Sequence, residues 1–272
     1  MKMLLMARFT FIEALHKRVV HGVLLLTVAF LLLYGLGAWL AVREMGAAGP
    51  IRMFVQQYIL LGMNSVSGIG ALLAIFLSVG TISSEVDAGT LHAIVTKPLT
   101  RRDVLWGKWL GYAAMLTVYM MLLFLSVGGV VALFSGIWLE GMLRAALPMV
   151  LQSLVLLSIS VIGTTFIPTI ANGVIVFGLY TVAMMSGFVE QLGVFFKNQT
   201  MIDIGIVVSL LVPSDAMVKL SSAILQEGAT YFERAGPFIV LSEPSHWMVV
   251  YALLYIVVLL LAAQHIFSKK DL

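Results

Sequence analysis

From Val19 to Val42 the chain carries no Asp, Glu, Lys or Arg, and five further apolar stretches follow it. A helix needs about 20 apolar residues to cross a bilayer. In lipid it must also satisfy its own backbone polar groups, which a helix does internally. The pattern predicts an all-α polytopic membrane protein with six spans, over residues 19–42, 58–83, 105–134, 147–170, 173–189 and 247–267. Composition points the same way. Only 11% of the 272 residues are charged and 61% are hydrophobic, whereas soluble domains carry roughly 25% charged residues. No stretch is left for a separate aqueous catalytic domain, so residues 1–272 read as a single transmembrane domain whose function sits in helices and short loops.

The segments outside the spans have their own signatures. Residues 1–18 place Leu5, Phe9, Ile12 and Leu15 at helical spacing among Lys2, Arg8, Lys17 and Arg18, the pattern of an interfacial helix. A signal peptide is the alternative, although the apolar run that follows exceeds an h-region. Residues 190–245 form a long outer segment containing the apolar run Ile204 to Val212, too short to cross as one helix. It reads as a helix dipping into the outer face. After Pro213 comes an amphipathic helix near Asp215 to Glu227, with Met217, Leu220 and Ile224 on one side, Ser214 or Asp215 as cap and Gly228 as its end. Two additional short crossings are the rival parsing. With six spans both termini share a side, and ten of the sixteen Lys and Arg lie on that side. The positive-inside rule then places both termini in the cytoplasm.

Several chemistries lack their residues. There is no Cys, which removes thiolate metal sites, disulfides and cysteine nucleophiles. The five His (His16, His21, His92, His246 and His265) have no metal-ligand spacing. The paired methionines Met120 and Met121, or Met184 and Met185, face different ways on a helix, so packing explains them better than soft-metal binding. No ionisable group stands near a span centre, where an ion-coupled transporter usually needs one. Gly107 and Lys108 supply the letters GK, but Arg102 and Trp109 occupy the other P-loop positions, so nucleotide energy has to come from elsewhere. Nothing in the chain points to nucleic acid. Gly70, Ala74 and Ser78 recur every four residues, a small-residue face that suits either helix packing or a dimer seam.

The most polar stretch runs from Ser84 to Lys108 between spans two and three, with residues 84–104 as a cytoplasmic loop. Acidic Glu85 and Asp87 leave the membrane first, Gly89 permits a sharp turn, and Thr90 to Thr96 can form a short surface helix. Lys97-Pro98 stops that helix. Asp103 can cap the next one, which carries Trp106, Lys108 and Trp109 through the interface. Such a helix held beneath two spans could pass a push from a soluble partner into the membrane; a solvated loop bearing topogenic cations is the plainer reading.

Three ordered elements in this stretch carry a resemblance: Glu85, Gly89, Thr90 and Leu91, then Lys97, Pro98 and Arg101, then Gly107, Lys108 and Gly111. The stretch resembles the segment between the second and third spans in permeases of the type-2 ATP-binding-cassette (ABC) exporter family. The turn Leu211 to Ala216 and the tail Phe267 to Leu272 are also similar. Stand-alone permeases of about this length, including the one serving nitrous-oxide reductase maturation, are the most similar; Lys219 departs from the Arg many relatives place after the turn. The resemblance implies a permease that binds no cofactor itself and is not an enzyme, with ATP and Mg on a separate ABC ATPase present in two copies. It implies a second permease copy or a related one, and the cell membrane of a prokaryote. Glu85, Asp87, Gly89, Thr90, Leu91, His92, Lys97, Pro98, Arg101, Arg102, Gly107 and Lys108 would then couple to the ATPase. A membrane-embedded enzyme acting on lipid and a non-catalytic membrane scaffold are the alternatives.

Overall fold

The computed structural model describes residues 2–45, 51–79, 81, 100–227 and 242–269, and these are helical with short turns. In chain order the helices are α1 (Lys2–His16), α2 (Arg18–Met45), α3 (Ile51–Ser78), α4 (Arg101–Ser135), α5 (Met142–Gly163), α6 (Thr169–Phe196), α7 (Gln199–Leu211), α8 (Ser214–Gln226) and α9 (Trp247–Lys269). Six of them, α2 to α6 and α9, are long and apolar enough to cross a membrane. The protein is therefore an all-α, multi-pass membrane protein.

Burial orders the bundle. In the apolar window of α5, 83% of residues are buried, against 28% in α2 and α6 and 22% in α9. The central helix is α5, and the outer ones give their apolar sides to lipid, which removes the usual penalty for exposing Leu, Val and Phe. Polar side chains then stitch neighbours together. Tyr34 and Tyr58 each donate to the other's carbonyl oxygen, at 2.8 and 2.6 Å, with their rings 4.5 Å apart. The Gln152 amide donates to the Ser67 hydroxyl at 2.6 Å, joining α5 to α3.

Several helix ends differ from the hydropathy boundaries, each for a local reason. α3 covers residues 51–78 instead of starting at 58, since Ile51 to Gln57 still bury Val55 and Gln56 against the bundle. Asp103 does not cap α4: Thr100 does, its hydroxyl accepting from the Asp103 amide while the Asp103 carboxylate accepts from the Thr100 amide. That reciprocal capping box moves the start of the helix back to Arg101. The break between α5 and α6 falls at 164–168, ahead of Asn172. Pro168 suits the position before α6 because its missing N–H is no loss there, and Asn172, inside α6, donates from its amide to the Ser160 carbonyl at 2.9 Å.

The segment over residues 190–245 holds the largest departure. α6 continues past Val189 to Phe196, turns through Lys197 in the left-handed region and Asn198, and returns as α7. At 13 residues α7 is about 20 Å long, short of the roughly 30 Å apolar layer. A 109° bend at Val212-Pro213 then sends α8 in a new direction, so α7 and α8 form a sharply broken helix pair. Neither Ser214 nor Asp215 caps α8, because Pro213 occupies that position and Asp215 is engaged elsewhere. The carbonyls left over at the end of α7 are taken by α9: Tyr251 donates to Leu210 and Tyr255 to Leu211, at 2.5 and 2.8 Å.

Candidate functional site

Two polar constructions stand out in this apolar bundle. The first flanks the segment between α3 and α4. Glu85, Asp87, Gly89, Thr90, Leu91, His92, Lys97 and Pro98 lie outside the described residues. The two ends of that segment are described, and both are anchored.

On the α4 side, Arg101 sits in the first helical turn. Its guanidinium donates to the carbonyls of Phe267 at 3.1 Å and Ser268 at 3.4 Å, and lies 5.9 Å from the centre of the Phe267 ring. Those carbonyls belong to the last turn of α9, where backbone acceptors lack helical partners and a cation is favoured. Arg102 beside it is exposed. On the α3 side, Lys108 is buried at 3% exposure and donates to the Thr81 carbonyl at 2.8 Å. Sequence reasoning placed Lys108 at the lipid headgroups; the structure turns it inward, where it pins the chain as it leaves α3. Trp106 donates to Gln264 of α9 at 2.9 Å and Trp109 to Ser158 of α5 at 3.0 Å.

Gly107 and Gly111 bring α1 close to α4. A Cβ at Gly107 would lie 2.6 Å from the Cβ of Met6, and one at Gly111 would lie 2.6 Å from the Ala7 carbonyl oxygen. Two glycines one turn apart open a shallow seat into which α1 settles at backbone contact. Thr10 and Ala14 of α1 are buried there, while Leu4, Leu5, Phe9, Ile12 and Leu15 stay exposed on its other side, as an interfacial helix requires. Lys17, at the elbow between α1 and α2, donates to the Tyr112 hydroxyl at 2.8 Å. The small-residue face of α3 is used inside the chain as well. Ala74 and Ser78 are fully buried, and a side chain at Gly70 would collide with Met120 of α4. Intrachain packing accounts for Gly70, Ala74 and Ser78 and leaves no exposed seam at these positions.

The second construction is a buried ionic cluster at the α6–α8 junction. The Lys219 ammonium lies 2.6 Å from Glu190 and 3.0 Å from Asp215, with side-chain exposures of 5%, 7% and 14% respectively. Ser242 donates to the other oxygen of Glu190. Glycines again provide the room, since Gly187 faces Asp215 and Gly205 faces Glu190. Sequence reasoning missed this cluster by placing Glu190 at the start of the segment 190–245 and reading Lys219 only as a departure from the Arg of similar permeases. The available signals were the apolar residues Gly193 to Phe196, which continue the helix beyond Glu190, and the one-turn spacing of Asp215 and Lys219.

Residues 6–272 match the family described as ABC-2 family transporter protein. No curated protein matches the chain. The match covers nearly the whole sequence, so the chain belongs to this family and is a membrane permease component of an ABC transporter, not itself catalytic.

Proposed function

We propose that this permease transmits ATP-driven motion of separate ABC ATPase subunits through residues 84–104 into its spans, to export a substrate or deliver a conformational signal across the membrane. The reading extends to two ATPase copies holding ATP and Mg, and to a second permease copy or a relative. It also puts both termini in the cytoplasm of a prokaryotic cell. The likeness to the permease of nitrous-oxide reductase maturation belongs to the same proposal. In it, Glu85, Asp87, Gly89, Thr90, Leu91, His92, Lys97 and Pro98 meet the ATPase.

One observation carries the reading: both ends of that segment are fastened to the bundle. Lys108 holds the chain leaving α3, the Thr100–Asp103 box and Arg101 hold the chain entering α4, and α1 lies against α4 through Gly107 and Gly111. A push delivered between two such anchors reaches α3, α4 and α9 together, because packed interiors shift as bodies and resist local deformation. Arg101, Gly107 and Lys108 therefore serve as the frame, and the residues between the anchors as the contact. A change of shape is the permease's whole contribution.

The test is reconstitution of the permease with a candidate ABC ATPase that copurifies with it, reading ATP hydrolysis with and without permease. Glu85→Lys and Leu91→Pro are expected to abolish the permease-dependent part while the protein still inserts. Undiminished coupled hydrolysis in both variants would overturn the assignment of this segment.

A further inference from the structure

A cavity of about 390 Å³ opens where α7, α8 and α9 meet, beside the ionic cluster. Its size falls within the range of small-molecule sites, roughly 300–1,000 Å³. Ile206 and Leu210 of α7 and Met248 of α9 form apolar walls, and Trp247 and Tyr251 add aromatic ones. The polar part of the lining is Glu190, Lys219, Ser209, Ser242, Glu243 and Ser245.

We propose that this cavity is a binding site for an amphiphilic organic ammonium ion. The charge balance selects the sign. Lys219 is the lining's single cation, and it is already held between Glu190 and Asp215 at 2.6 and 3.0 Å. Two carboxylates, Glu190 and Glu243, thus share the lining with one ammonium that Asp215 backs from outside it, and an anion entering here would meet an occupied cation and an excess of negative charge. A neutral apolar guest would fill the walls and leave that excess unbalanced. A cation balances it, and aromatic side chains favour cations over neutral guests of the same shape.

Ser209 supplies the second observation. It lines the cavity at 7% exposure, and its hydroxyl has no hydrogen-bond partner among the described residues. Buried hydroxyls are rarely left unsatisfied. An ammonium N–H donating to this oxygen while the organic body rests on Ile206, Leu210 and Trp247 would use every distinctive part of the lining. The inference concerns the permease alone and stands or falls separately from coupling to an ATPase.

The test uses the full chain in nanodiscs of zwitterionic lipid, with empty discs as the blank. Three probes of matched shape are compared: 2-(1-naphthyl)ethylamine, 2-(1-naphthyl)ethanol and 1-naphthylacetate. Saturable binding is expected for the amine, about tenfold tighter than for the alcohol, with the carboxylate weakest. Ser209→Leu fills the cavity and is expected to remove saturable binding of the amine. Glu243→Gln, at an exposed carboxylate, is expected to weaken it several-fold. Neither substitution touches the Glu190–Lys219–Asp215 contacts, and intact tryptophan fluorescence of both variants confirms that they fold. Equal binding of the three probes, no saturable binding of the amine, or unchanged affinity in Ser209→Leu would each overturn the proposal.

Discussion

Replacing Lys219 by Met keeps an unbranched side chain one atom shorter and removes its charge, leaving Glu190 and Asp215 buried together. At an effective dielectric of about 20, the two contacts at 2.6 and 3.0 Å are worth about 6 and about 5.5 kcal/mol of Coulomb attraction. Burying each ion costs several kcal/mol, so the intact cluster adds little net stability. The variant loses the attraction and keeps the burial cost of both carboxylates. Ser242 still serves one oxygen of Glu190, which softens the loss without cancelling it. The expected destabilisation is about 3–5 kcal/mol, read from unfolding in mixed micelles followed by tryptophan fluorescence. The triple variant Glu190→Gln, Asp215→Asn, Lys219→Met removes the charges together and is expected to recover most of that loss. A single variant within about 1 kcal/mol of the parent, or a triple variant no better than the single, would refute the view that mutual compensation holds these ions in the bundle.

Other perturbations test the anchors. Gly107→Leu and Gly111→Leu force α1 off its seat; each is expected to cost about 1–3 kcal/mol and to lower ATPase coupling, measured by thermal unfolding and stimulated hydrolysis. Thr100→Ala breaks the capping box and is expected to cost about 0.5–2 kcal/mol, with faster hydrogen exchange confined to the first turn of α4. Because the sequence holds no Cys, single cysteines report topology directly. His92→Cys is expected to resist a membrane-impermeant maleimide added to intact cells, and Asn198→Cys to react with it. The reverse pattern would remove the proposed handle from the cytoplasm.

The bundle was legible in the sequence where physics is local. Apolar runs marked the membrane-crossing helices, and Pro213 marked the bend after α7. The shortness of Ile204 to Val212 marked a helix that cannot cross the bilayer alone. Ends set by side chains elsewhere were less readable: the start of α4 depends on whether Thr100 or Asp103 takes the cap, and both residue types are good caps. The ionic cluster was hidden for a further reason. Lys219 is buried because Glu190, 29 residues earlier, is brought to it by the α6–α7 hairpin, and pairing at that distance has no sequence period. Gly107 and Gly111 were visible as a family pattern, but their purpose emerges only with α1 in place. Arg101 shows the same limit, since its partners lie at the far end of the chain.

α4 is unbroken over 35 residues, from the Thr100 cap to the left-handed Gly136. That makes it about 52 Å long, against an apolar layer of roughly 30 Å, so the rod outreaches the bilayer that holds it. Tilting such a rod by about 10° around its middle swings each tip by about 4.5 Å. With α1 riding on one tip, a modest tug at the water's edge becomes a comparable stroke on the opposite shore, with no bond remade along the way.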